Sequence, residues 1–160
     1  MSEKNPYRVF VTHAFSETDD YLRVFEFLES VERFFYLNVS KPENIEEGST
    51  LEVRKDELIS QIKSSEVVIV VNDVYEQNQK LVEYMLDVAE ANDICAVAVQ
   101  PFGGVSETPP ELAARVKDTL SWNERTIVDS IQFLARGTDT QRWEVVDFPG
   151  FTADGPIEDN

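Results

Sequence analysis

The chain has 160 residues, enough for one well-buried core and too few for two ordinary domains. Its 42% hydrophobic content, with 11% aromatic residues, excludes a disordered chain, and no apolar run approaches the roughly 18–20 residues of a membrane span. A net charge of −17 leaves no basic face for phosphate, so nucleic acid and anionic membranes are not expected partners.

Residues 1–6 lack the apolar core of a signal peptide. Residues 8–11 form a short β-rich run, and Ser16, Thr18 and Asp19 then offer helix N-cap chemistry. Tyr21, Val24, Phe25, Leu28 and Val31 make the stripe of an amphipathic helix. A second strand is expected over 34–39, followed by a loop over 41–48. Ser49 or Thr50 can cap a helix running to about residue 64. Residues 67–71 are all β-branched, as in a central strand covered on both faces. A helix over 77–92 leads to a strand over 94–99. That strand holds Cys95, the single cysteine, which cannot form an internal disulfide. Together with the N-terminus it predicts a cytoplasmic protein.

The remaining elements are a loop over 101–110, a helix over 110–117, a brief strand over 119–121 and a helix over 123–134. Strands alternating with helices predict an α/β domain over residues 1–136 with a five-stranded, mainly parallel sheet and right-handed crossovers. This is a three-layer flavodoxin-like or TIR-like fold. Residues 137–160 lose periodicity; an arm or extra strand is expected over 142–148, and disorder at the end.

In such a sheet a ligand binds beyond the carboxyl ends of the strands, at the switch point. The segments expected there are 12–16, 38–40, 72–75 and the 101–104 loop. The first carries Thr12, His13 and Ser16, a set of hydroxyls that can wrap a phosphate, but without the glycine that lets backbone approach. A phosphoreceiver domain is excluded because neither Thr12-His13 nor Leu120-Ser121 supplies the partners Asp73 would need. His13, the only histidine, is most simply a structural hydrogen-bonder, and no cysteine, histidine and carboxylate set around it predicts a metal. No Walker loop, dinucleotide fingerprint or nucleophile elbow is present.

Several segments in order nonetheless carry a resemblance. Val9-Phe10-Val11-Thr12-His13-Ala14-Phe15, Asp20-Tyr21, Asn38-Val39-Ser40, Gln61-Ile62, Val74-Tyr75, Pro101-Phe102-Gly103 and Ser121-Trp122-Asn123 follow one another at plausible spacing. Over about residues 7–134 the chain resembles bacterial TIR-like domains, including those of the Thoeris antiphage system, which turn NAD into an ADP-ribose signal. The resemblance implies NAD as a substrate or ligand, with no tightly bound cofactor. It also implies a pocket lined by Thr12, His13, Phe15, Asn38, Ser40, Tyr75, Leu81 and Met85. Expected partners are another copy, another TIR-like domain or a signalling effector.

TIR enzymes place a glutamate on the third helix, where a carboxylate can stabilise the oxocarbenium-like ribose as nicotinamide leaves. A tryptophan four residues earlier shares its face in this family. Aligned without gaps, this chain has Leu81 at the tryptophan position and Met85 at the glutamate position. A two-residue shift would instead recruit Glu83 as the catalytic residue, preceded by Gln79. Leu81, Val82, Met85, Leu86, Val88 and Ala89 make one apolar face, while Glu83, Asp87 and Glu90 lie opposite. That favours the ungapped alignment and a degenerate catalytic site. Three functions follow: a non-catalytic TIR-like signalling module, an active NAD hydrolase or cyclase using Glu83, or a flavodoxin-like binder of a small phosphorylated ligand.

Overall fold

Residues 4–46, 48–103 and 107–137 are described by the structure, a computed structural model of the chain. The strands are β1 Tyr7–Val11, β2 Tyr36–Asn38, β3 Val67–Val70, β4 Cys95–Val99 and β5 Thr119–Leu120. The helices are α1 Asp19–Glu29, α2 Leu51–Lys63, α3 Asn72–Gln77, α4 Gln79–Ala91, α5 Pro110–Ala113 and α6 Glu124–Arg136. All five strands run parallel in one sheet of order β2-β1-β3-β4-β5. Helices α1 and α6 pack together on one face, where α6 lies against β1 and β3; α2 and α4 pack together on the other. The result is the three-layer α/β architecture of the flavodoxin-like kind.

The elements form where side chains can both start and cover them. Thr18, Thr50 and Asn123 each accept an amide of the helix they precede, opening α1, α2 and α6. Gly137 ends α6 at φ 69°, a left-handed cap that any side chain would strain. β3 lies at the centre of the sheet, and Val67, Val68, Ile69 and Val70 are each 0% exposed. Burying each contributes about 1.5–3 kcal/mol. One ionic clasp closes the bottom of the sheet. Arg136 at the end of α6 grips Glu66 through Nε–Oε1 (2.7 Å) and Nη2–Oε2 (2.9 Å), and its guanidinium stacks on Tyr7. That pairing, more than the backbone amide of Arg8, holds the Glu66 carboxyl below the usual carboxylate range against its own burial.

Several expectations are adjusted. The helix expected over 77–92 is α4, and a further short helix, α3, precedes it and meets it at Asn78 (φ −141°, ψ 52°). A helix as short as α3 has no room to display a period, and its first residues read as loop. β2 is three residues and α5 four, shorter than the stretches their composition suggested. The arm at 142–148, the chain end and Gly104 of the 101–110 loop lie outside the described residues. No helix among the described residues is long and apolar enough to cross a membrane.

Candidate functional site

The chain leaves β1 toward one face and β3 toward the other, so the switch point lies between their carboxyl ends. Side chains close it. Asp20 Oδ2 accepts the amide of Asp73 (3.3 Å), and Asp73 Oδ2 accepts the amide of Asp20 (3.2 Å). Thr18 Oγ1 donates to the other oxygen of Asp73. Each carboxylate thus caps the other's helix, and Arg23 pairs with Asp20. Burial, then the charge of Asp73, push the Asp20 carboxyl up, against the amide of Asp73 and the guanidinium of Arg23. Two amides that could cradle a phosphate at the start of α1 and α3 are therefore already taken.

His13 is wholly buried and fixed in one tautomer. Its Nδ1 accepts the amide of Phe15 (3.1 Å), so the proton sits on Nε2, which donates to Gln61 Oε1 (2.9 Å). Burial is the main force pulling its pKa below 6.5, partly offset by Gln61 and then by the charges of Glu43 and Glu57. Gln61 is itself saturated. Its Oε1 also accepts Lys41 N, while its Nε2 donates to Lys41 O and Glu57 Oε2. The histidine therefore staples the β1 loop to the segment after β2, and in this state it has no free nitrogen for acid–base chemistry.

Other expected pocket residues are likewise committed. Thr12 is buried, and its Oγ1 accepts the amide of Val71 (3.1 Å), tying the ends of β1 and β3. Asn38 Oδ1 accepts both the amide and the hydroxyl of Ser40, and Asn38 Nδ2 donates to Tyr21 Oη (3.1 Å). Ser40 Oγ lies 3.1 Å from the same phenol. These polar groups wire β2 to α1 behind the cleft.

The other expected site residues lie toward the α2 and α4 side. Helices after parallel strands run back across the sheet, so the starts of α2 and α4 sit at the carboxyl end with the β1 loop. Phe15 is half-buried at φ 66°, and the guanidinium of Arg54 in α2 lies 5.8 Å from its ring centroid. Asn72 opens α3 at 7% exposure, with its Oδ1 buried and without a partner among the described residues. Tyr75 is buried; burial raises its pKa, with smaller pushes from Glu111 and Glu83. Leu81 and Glu83 line an open groove of about 600 Å³ at the junction of α3 and α4. Glu83 is half-buried and accepts Gln79 Nε2 (3.2 Å) one turn earlier, whereas Met85 is 0% exposed within the core.

The roles of Gln61 as the partner of His13, of Asp20 and Asp73 as reciprocal caps, and the place of Arg54 beside Phe15 are what a reading of the sequence does not supply. Gln61 carries no local signal, since its partners lie on other elements. Arg54 stands out only as part of a basic pair in an acidic chain.

The chain matches no family model and no curated protein sequence. Among the described residues no three histidines, cysteines or carboxylates converge in a way that could hold a metal ion. A second groove of about 530 Å³, between α4, β4 and α5, lies at the opposite end of the sheet around Cys95 and Arg115. None of the residues at the switch point between β1 and β3 lines it.

Proposed function

We propose that this chain is a TIR-like signalling domain of bacterial antiphage defence that binds NAD or a related nucleotide without cleaving it. Two observations carry the non-cleaving part of this reading: Met85 is wholly buried in α4, and His13 has both ring nitrogens engaged in hydrogen bonds. A thioether in a core cannot stabilise a developing ribosyl cation. A neutral imidazole with both nitrogens engaged cannot move a proton without breaking the β1 loop. The fold and the crevice between β1 and β3 support a ligand-binding role, and the resemblance along residues 7–134 supplies its kind.

A second reading has one observation in its favour. Glu83 borders open space beside Leu81 and is near enough to Tyr75 to influence its ionisation. In an active hydrolase or cyclase it would be the carboxylate facing the ribose. The flavodoxin-like alternative is less supported, because Asp20 and Asp73 occupy the amides a phosphate would use.

Incubating the purified protein with NAD, and following nicotinamide and ADP-ribose products by chromatography, separates these readings. The expected result is binding of NAD with no nicotinamide released. Release that Glu83→Ala abolishes would overturn the non-cleaving reading and establish the second.

A further inference from the structure

Single exposed apolar side chains are ordinary on a protein surface, but a cluster of accessible rings is not. Such a cluster lies at the carboxyl end of the sheet, where Phe102 follows β4 and Trp122 follows β5. The ring of Trp122 meets Phe102 (5.5 Å between centroids) and Phe27 of α1 (5.3 Å), both at steep angles. The guanidinium of Arg23, one turn before Phe27, lies 3.7 Å from the centroid of Phe102 and 5.7 Å from that of Trp122. Phe102 is 54% exposed, while Arg23, Phe27 and Trp122 are half-buried. Phe27 and Trp122 rest against the core, whereas Phe102 does not, so burial within one chain does not account for it.

The cluster is held in place by its own contacts. Trp122 Nε1 donates to the carbonyl of Gln100 (2.7 Å), which fixes the indole at the end of β4. Arg23 is pinned by Asp20, which in turn accepts the amide of Asp73 (3.3 Å). Side chains fixed in this way lose little freedom when a partner covers them, and Trp, Phe and Arg are the types that anchor protein interfaces. The charges around them are one-sided. Arg23 is offset by Asp20, and Arg125, beyond Trp122, by Asp129 (3.8 Å). Asp19 and Glu26 lie one turn either side of Arg23 on the same face of α1, and Glu124 follows Trp122 by two residues. All three are exposed, and none is in an ion pair among the described residues.

We infer that this patch is a docking surface for a basic segment of a partner protein, one that presents apolar side chains between lysines or arginines. The apolar side chains pack on Phe102 and Trp122, and the cations face Asp19, Glu26 and Glu124. Charge decides against the other occupants. A second copy would bring a further net charge of −17 and the same three acids to the contact, and nucleic acid or anionic lipid would be repelled by them. The inference goes beyond the nucleotide-binding reading above and does not rest on it.

The test is fluorescence anisotropy of the full chain with labelled synthetic peptides of equal length at physiological salt. The first alternates Lys with Leu and Phe, the second replaces Leu and Phe by Ser, and the third replaces Lys by Glu. Wild type is expected to bind the first about tenfold or more tightly than the second, and the third not measurably. Phe102→Ser lowers the affinity for the first peptide toward that for the second. Phe133→Ser, which removes a ring 56% exposed in the last turn of α6, leaves it unchanged. Glu26→Lys weakens binding more than Glu52→Lys, the same change of charge at an exposed position in α2. Thermal melts establish that each variant is folded, and the comparison of Glu26→Lys with Glu52→Lys carries the test should Phe102→Ser not fold. Equal binding of the two basic peptides, or undiminished binding by folded Phe102→Ser, overturns the docking surface, because net charge alone then accounts for the affinity. A dimer of wild type in sedimentation velocity that Phe102→Ser dissociates overturns the basic partner and assigns the patch to a second copy.

Discussion

His13 is kept neutral by contacts that a second proton would spoil. Protonated Nδ1 would meet the amide of Phe15 head-on, and the charge would sit in a buried site. The folded pKa is therefore lower than the unfolded value near 6.5, and the unfolded chain binds the extra proton first. Stability from this residue is complete above about pH 6.5 and is lost as pH falls toward the folded pKa. The expected outcome is a melting temperature that drops on acidification from pH 7.5 to 5.5. The His13 ring proton resonance should stay at its neutral position while exposed groups titrate. A midpoint at or above 6.5 in the folded protein would refute this account. Arg54 Nε and Asn72 Oδ1 show the opposite condition at the same scale, buried polar atoms with no hydrogen-bond partner among the described residues.

At the scale of elements, α3 is the informative one. Six residues are too few for a stable helix in water, and it has no side-chain N-cap from Val71. It is held instead by the Asp73 and Asp20 carboxylates, each on the other's amide, and by Thr18. Asp73→Ala is expected to cost about 1–2 kcal/mol, the range of a lost cap. It should also speed amide exchange in α3 and the first turn of α1 while leaving β3 protected. Uniform loss of protection across the sheet would show that the pair has a different role. The longer elements were legible because burial imposes a period. Tyr21, Val24 and Leu28 of α1 and Val82, Met85, Leu86 and Ala89 of α4 are the residues that the pattern places inward, and the structure buries them. α3 was not legible because its support comes from residues more than fifty positions away.

For the molecule as a whole, a net charge of −17 on one small domain means self-repulsion in the folded state. The Debye length falls from about 30 Å at 0.01 M salt to about 3 Å at 1 M, so salt screens most of it. Melting temperature is therefore expected to rise with sodium chloride over that range, and a flat or falling curve would show that repulsion is not a governing cost. The β-branched run at 67–71, the helix caps Thr18, Thr50 and Asn123, and the alternation of strand with helix determined the layered α/β fold and the end of the sheet that holds the cleft. Those are local properties, set by burial period and backbone capping within a few residues. Which of the cleft's polar residues are free was decided only by tertiary structure. The sequence names Thr12, His13, Asn38 and Ser40 as pocket residues without showing that Val71, Gln61 and Tyr21 already engage them. It shows a basic pair at Arg54-Lys55 without showing that Arg54 lies near Phe15 with its Nε lacking a hydrogen-bond partner among the described residues. A hydrogen bond depends on where two side chains meet, and partners 48 residues apart, as His13 and Gln61 are, meet only once the sheet has formed.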